Sequence, residues 1–259
     1  VSKNYHAEPW VLVTGAASGI GLATAKYMTA NGWHIWLADI DIKRLNLAVQ
    51  TVSGAQALPL DVSNESDWQA GVAQLRAAGS RIDAVVHAAG ISAAAPLTDM
   101  TLEEWRRVHA VNLDGAFLAT KYGAQLMGDT GGAIVHIASA SGVRPTAGAA
   151  AYCSSKAAVR MLTRVAALEL KPRDIRVNCI CPAGVRTPMW ETMDFFQEAV
   201  ARLRSVEAAY QEMEEQGGSR FASPEDIAAA VAFLLSDAAK LMTGTELVVD
   251  DGFTLGGAC

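Results

Sequence analysis

An α/β fold, in which a parallel sheet is wound on both faces by helices, is predicted by three observations. Short apolar runs that suit buried strands alternate with segments of helical period along the chain. The glycines of Thr14-Gly15-Ala16-Ala17-Ser18-Gly19-Ile20-Gly21 fall where the first such run passes into the first helical segment. The chain has 259 residues, 51% of them hydrophobic, enough for one sizeable core. One domain over residues 1–259 is therefore expected.

Residues 10–14 read as a strand, 20–30 as a helix, 34–39 as a strand and 43–52 as a helix. A short strand at 55–60 and a helix at 65–78 follow. The fourth strand is 84–88, its entry marked by Asp83. Residues 102–126 read as one long helix and 133–138 as a strand. A helix over 149–170 carries Tyr152 and Lys156, whose spacing of four puts both on one face. The sixth strand is 176–181. Ser223, followed by Pro224 and acids, announces a helix over 224–236, and 247–249 is the last strand. Between the sixth strand and that helix lies 189–218, where Trp190, Met193, Phe195, Phe196, Val200, Leu203, Val206, Tyr210 and Met213 recur at near-helical spacing. This segment is expected to form a small helical lid. Its apolar stripe either packs on the core or covers the substrate.

A formal net charge of -6 and the lack of any long block of like charge exclude a broad basic surface, so nucleic acid is not an expected partner. No apolar run reaches membrane-spanning length, and residues 1–6 lead straight into a strand. The expectation is a soluble, cytoplasmic protein. The cysteines at 153, 179, 181 and 259 lack zinc-ligand spacing, so no metal is expected and all four read as reduced thiols. Cys179 and Cys181 fall on one strand facing the same way. Cys153 abuts Tyr152.

Glycines at a strand-to-helix turn let backbone approach a phosphate, and the helix beginning there points free amides at it. Asp39, eighteen residues after Gly21, ends the second strand, where a carboxylate can bind both hydroxyls of an adenosine ribose and repel a 2′-phosphate. Neither Lys nor Arg stands at 16, 17, 18 or 40. NAD is therefore expected rather than NADP. A helix cap would be a duller role for Asp39, but would not explain an acid ending an apolar strand.

Thr14 to Gly21, Asp61-Val62, Ala89-Gly90, Asn112, Ser139, Tyr152 with Lys156, Asn178 and Pro182 through Thr187 stand in an order that resembles the short-chain dehydrogenase/reductase family over nearly the whole chain. The resemblance implies a Rossmann fold with a seven-stranded parallel sheet, and an enzyme interconverting an alcohol and a carbonyl compound. It makes Tyr152 the general acid/base and Lys156 the ribose contact that lowers the tyrosine pKa. Ser139 becomes the donor to the substrate oxygen, and Asn112 the shaper of a helix kink and of a water path to Lys156. A free phenol, with a pKa of about 10, needs such help near neutrality. Ser141 competes with Ser139, which the spacing of thirteen to Tyr152 favours. Taken singly, each of these residues has a bland structural role; the joint spacing favours chemistry.

By the same resemblance, Gly15, Ser18, Gly19, Ile20, Gly21, Asp39 and Ile40 meet the adenosine and phosphates. Asp61, Val62, Ala89 and Gly90 meet the adenine and its ribose, and Tyr152, Lys156, Pro182, Val185 and Thr187 the nicotinamide end. Two departures stand out. His87-Ala88-Ala89-Gly90 replaces Asn-Asn-Ala-Gly, leaving the hydrogen bonds of the first asparagine to an imidazole or to water, and Pro182-Ala183 replaces Pro-Gly.

The substrate pocket is expected from Ala140, Ser141, Val143, Arg144, Ala149, Ala183, Gly184, Val185, Met189 and Trp190, mostly small or apolar. A compact hydrophobic or cyclic secondary alcohol fits this lining, with Arg144 either solvated or anchoring an anion. The resemblance also implies a homotetramer built through the long helices and the last strand. An NADPH-dependent biosynthetic reductase and a non-catalytic NAD(H) sensor remain as alternatives.

Overall fold

A computed structural model describes residues 8–256. Seven parallel strands form one sheet in the order β3-β2-β1-β4-β5-β6-β7: β1 is Trp10–Thr14, β2 His34–Asp39, β3 Gln56–Pro59, β4 Ala84–His87, β5 Gly132–Ile137, β6 Ile175–Pro182 and β7 Glu246–Val249. The helices between them are α1 (Gly19–Ala30), α2 (Ile42–Thr51), α3 (Glu65–Ala77), α4 (Leu102–His109), α5 (Gly115–Met127) and α6 (Ala150–Leu170). After β6 come α7 (Asp194–Leu203), α8 (Val206–Gly217) and α9 (Pro224–Leu235).

The central strands are apolar on both sides because helices cover both faces. Val11 and Val13 pack with Met28 of α1, Leu45 of α2 and Val231 of α9. Leu12, between them, points the other way, to Trp68 of α3, Leu118 of α5 and Ala166 of α6. The chain doubles back between β1 and β4, whose register pairs Thr14 with His87. Helices on opposite faces part there, opening a crevice at the carboxyl ends of the strands.

Local chemistry sets the boundaries. The helix start expected at Ser223 is a capping box between Ser223 and Asp226, with Pro224 in the first turn of α9. Asp41, rather than Asp39, caps α2 by accepting the Arg44 N–H at 3.0 Å.

Two elements differ from the periodic reading. The single helix expected over 102–126 is interrupted by a π-helical turn, Ala110–Asp114, that widens the ladder around Asn112. The lid is two helices, α7 and α8, joined at Arg204 in the left-handed region (φ 54). Phe196, Ala199, Ala209 and Tyr210 bury one another in a small core of their own, so the apolar stripe serves lid packing. Met193, Phe195 and Glu198 line the crevice, so the same segment also covers it.

Candidate active site

A cleft of about 1080 Å³ runs along the carboxyl ends of the strands. At one end lie Gly15, Ser18, Gly19, Ile20 and Gly21, with Asp39, Ile40, Asp61 and Val62. Ala89, Gly90 and Thr187 continue it toward Met189 and the lid.

The glycines of the turn answer to internal contacts as well as to ligand approach. A Cβ on Gly15, whose φ is 65, would come within 2.7 Å of the Ala89 backbone, and one on Gly21 within 2.2 Å of the Gly15 carbonyl oxygen. Thr187 closes on the same turn, 3.2 Å from where a Gly19 Cβ would stand. Ser18 makes no side-chain cap and α1 has no acid in its first turn, so among the described residues no side chain of that turn competes for the helix's leading amides.

Asp39 is held by its own surroundings. One carboxylate oxygen accepts the Ala17 N–H and the other the Asp41 N–H, each at 3.0 Å, which aims the group across the cleft mouth. Asp61 is fixed likewise by the Ser63 N–H and hydroxyl at 2.9 and 2.7 Å. These residues fit a dinucleotide: a turn closed without side chains, a helix start open to an anion, and a braced carboxylate.

Lys156 and Asn112 lie beside Gly90, with Tyr152 next to Lys156 and Ser139 next to Tyr152. The Lys156 ammonium donates to the Ile137 carbonyl at 2.8 Å and lies 5.7 Å from the Tyr152 ring centroid. A Cβ on Gly90 would sit 3.2 Å from Lys156 Nζ and 3.3 Å from Asn112 Oδ1, so both side chains lie directly behind the cleft wall at this glycine. The Asn112 amide accepts the Ile91 N–H at 2.8 Å and donates to the Ile91 carbonyl at 2.9 Å and to Ser155 at 3.0 Å. The π turn is what delivers that amide to a loop 21 residues upstream. Ser139 Oγ accepts the Ser141 N–H at 3.0 Å, leaving its own proton free to donate.

Burial lowers the Lys156 pKa to about 8, which keeps it mostly cationic at neutral pH. Burial also pushes the Tyr152 phenol up, and the neighbouring Cys153 adds to this, while Ser139 opposes it. In the protein alone burial outweighs the Ser139 hydrogen bond, and the phenol stays above its ordinary value.

The remaining residues have definite places. Pro182 ends β6, and Val185 is buried in a bridge to Ala222. Ser141 lines a second, smaller cavity with Val143 and Cys153, while Ala149 precedes the first turn of α6. Arg144 donates to the Phe253 carbonyl at 2.6 Å and stacks on its ring at 4.8 Å, which engages it with the chain's own C-terminal segment. Trp190 donates to the Val185 carbonyl at 2.8 Å and meets Phe221 edge-on. Gly184 lies under Phe221, whose ring would be 2.5 Å from a Cβ there. Cys179 and Cys181 are buried on β6 as expected, Cys153 is half-buried, and Cys259 lies outside the described residues.

Sequence reasoning missed Arg44, which lines the adenosine end, and the loop Ile91 to Ala95 with Thr192 and Glu198 at the other. Arg44 was within reach, one helical turn past an acid that caps a helix; the loop carries no periodic signal. Among the described residues no group of three His, Cys, Asp or Glu side chains could hold a metal ion, and no helix is long and apolar enough to cross a membrane.

Residues 15–254 match the family model described as enoyl-(acyl carrier protein) reductase. Cyclopentanol dehydrogenase of Comamonas sp. is 37% identical over 250 residues, 94% of this chain and 96% of that protein. NAD-dependent glycerol dehydrogenase of Listeria innocua is 33% identical, over 94% of this chain and 93% of its own. The structure of L-sorbose reductase from Gluconobacter frateurii complexed with NADPH and L-sorbose superposes with a TM-score of 0.88 at 27% identity, covering 96% of this chain and 98% of that one. With a family model spanning residues 15–254 and relatives matched almost end to end, the chain belongs to the short-chain dehydrogenase/reductase family of oxidoreductases.

Proposed function

We propose that the protein is an NAD-dependent dehydrogenase that interconverts a compact hydrophobic or cyclic secondary alcohol and its ketone. The observation that carries this reading is the placing of Lys156 and Asn112 directly behind Gly90, with Tyr152 next to Lys156 and Ser139 next to Tyr152, where Gly90 lines a cleft whose far end holds a braced Asp39. Bound NAD would supply the acceptor for the hydride that leaves the carbinol carbon. The protein's part is proton management and placement. Tyr152 Oη takes the alcohol proton in oxidation and returns it in reduction, and Ser139 donates to the same substrate oxygen. Lys156, fixed on the Ile137 carbonyl, keeps positive charge beneath the tyrosine. Asn112 holds the Ile91 backbone and so the loop that walls the site.

Cofactor choice follows from Asp39, whose carboxylate would accept from ribose hydroxyls and repel a 2′-phosphate. The named NAD dependence of the Listeria relative agrees with this. Arg44 at the same end favours the alternative, NADPH, as does the cofactor of the Gluconobacter structure. Arg44 is mostly exposed and lies 3.5 Å from Asp41, whereas Asp39 is fixed by two backbone amides, so the acid decides. Compact, apolar substrates are favoured by Met189, Met193 and Phe195 around the cleft and by the cyclopentanol activity named for the Comamonas relative. Initial rates on a panel of cyclic and linear alcohols with NAD and NADP test both points. Faster turnover with NADP would replace the cofactor reading.

We also infer a homotetramer. Phe117 of α5 and Met161, Val165 and Leu168 of α6 expose apolar surface on the long helices, and a second copy would cover it. Light scattering at working concentration tests this, and a monomer would contradict it.

A further inference from the structure

The register lines up Thr14 of β1, His87 of β4, His136 of β5 and Cys179 of β6 at one level of the sheet, just below the cleft. His87 and His136 are 1% and 0% exposed, and neither has a part in the chemistry proposed above. Their tautomers follow from their neighbours. Thr120 gives its one hydroxyl proton to the Ala116 carbonyl at 2.8 Å, so toward His136 Nε2, at 3.0 Å, it can only accept. His136 is therefore protonated at Nε2, and its Nδ1 is a bare acceptor.

At the other ring, Thr14 Oγ1 accepts the Ala89 N–H at 3.4 Å and lies 2.9 Å from His87 Nδ1. If Thr14 accepted from both, its own buried proton would be wasted; donating it to Nδ1 uses every group. His87 thus carries its proton on Nε2. Cε1 of His87 faces Gly115 on α5, which leaves Nε2 on the β5 side.

Two ring nitrogens remain buried without a partner among the described residues, His87 Nε2 and His136 Nδ1. One is a donor and the other an acceptor, on rings 5.9 Å apart and edge to face at 74°. We propose that one buried water joins His87 Nε2–H to His136 Nδ1, completing a hydrogen-bonded chain from the Ala89 N–H through Thr14, both histidines and Thr120 to the Ala116 carbonyl. A buried donor and a buried acceptor left unpartnered this close together are what an ordered internal water joins.

The chain's role is positioning. Its first link is Ala89, whose backbone leaves no room for a Cβ on Gly15, so the depth of the phosphate turn is set by where Ala89 is held. Its last link is α5, which continues from the Asn112 turn. Burial, reinforced at His87 by His136 and at both rings by Lys156 from α6, keeps both rings neutral, as the alternation of donors and acceptors requires.

This part rests on the dinucleotide reading, and two measurements separate them. Histidine ¹⁵N spectra of the cofactor-free protein at pH 7 should show two neutral buried rings protonated at Nε2. A ring protonated at Nδ1, or a charged one, would overturn the chain whatever the cofactor. NADH affinity then reads its function. His136→Leu should weaken binding about tenfold, the worth of one buried hydrogen bond. His136→Asn, whose amide oxygen sits near the Nδ1 position, should stay close to wild type, with little change in kcat for either variant. A packing role predicts the opposite order, and Leu equal to or better than Asn would refute the proposal. If the leucine variant fails to fold, the spectra and the asparagine variant decide. If wild type binds no NADH, the dinucleotide reading fails while the spectra still test the chain.

Discussion

Tyr152 is buried among groups that keep its phenol protonated, with Ser139 the counterweight. Oxidation needs the phenolate, so kcat/KM for the alcohol should rise with pH above neutrality, and reduction, which needs the phenol, should not. Tyr152→Phe should cut turnover about 10²- to 10⁴-fold, the worth of a positioned acid/base, while NADH binding measured by fluorescence is kept. Turnover that survived the substitution would remove Tyr152 from the chemistry. Asp39→Ser should shift preference toward NADP by about tenfold or more, since one repulsive charge is lost beside Arg44; an unchanged NAD to NADP ratio would exclude the acid as the selector. These residues were legible in the sequence because their types and spacings are fixed by what they must touch. How strongly burial acts on the tyrosine in the cofactor-free protein was not, since desolvation depends on how much protein surrounds a group.

The lid shows what an element adds to its residues. Ala222 donates to the Gly184 carbonyl at 2.8 Å and Arg186 to the Ala222 carbonyl at 3.0 Å, so the two ends of the segment are clasped together. The Phe221 ring packs against Gly184, and Glu214 ties Arg186 to the Phe221 N–H at 3.0 Å from each. Gly184→Ala would drive a methyl into that ring. It should raise the alcohol KM several-fold with a smaller change in cofactor KM, because the clasp governs the lid and not the phosphate turn. Equal effects on both constants would place the clasp elsewhere in the cycle. Hydrophobic spacing revealed that a lid exists, but not that Phe196 and Tyr210 give it a core of its own. The π turn at Asn112 escaped the same reading, since one extra residue in a turn barely disturbs an apolar stripe over 102–126.

At the scale of the whole molecule the fold was the most legible part, because each strand had to be apolar on two faces and each helix on one. What pairs with what beneath the surface was not, and the His87 and His136 rings show its consequence. His136 has its pKa lowered to about 4 and His87 well below 6.5, mainly by burial. Unfolded chains bind protons at these sites below about pH 6.5 that the native state refuses, so stability should fall as pH drops from about 6.5 toward 4. The slope should be at most about 1.4 kcal/mol per pH unit for each ring. Thermal melts across that range should flatten in a His87→Asn, His136→Asn double variant; an identical slope would assign the acid sensitivity to other groups.

The measurement that bears most directly on the account is the initial rate of nicotinamide reduction with cyclopentanol and related secondary alcohols, with NAD and NADP in parallel, for wild type and Tyr152→Phe. The account predicts turnover that favours NAD and is lost in the phenylalanine variant, which still binds NADH. Tight NADH binding with no turnover of any alcohol or ketone in the wild type would contradict it and leave a cofactor-binding protein without this chemistry.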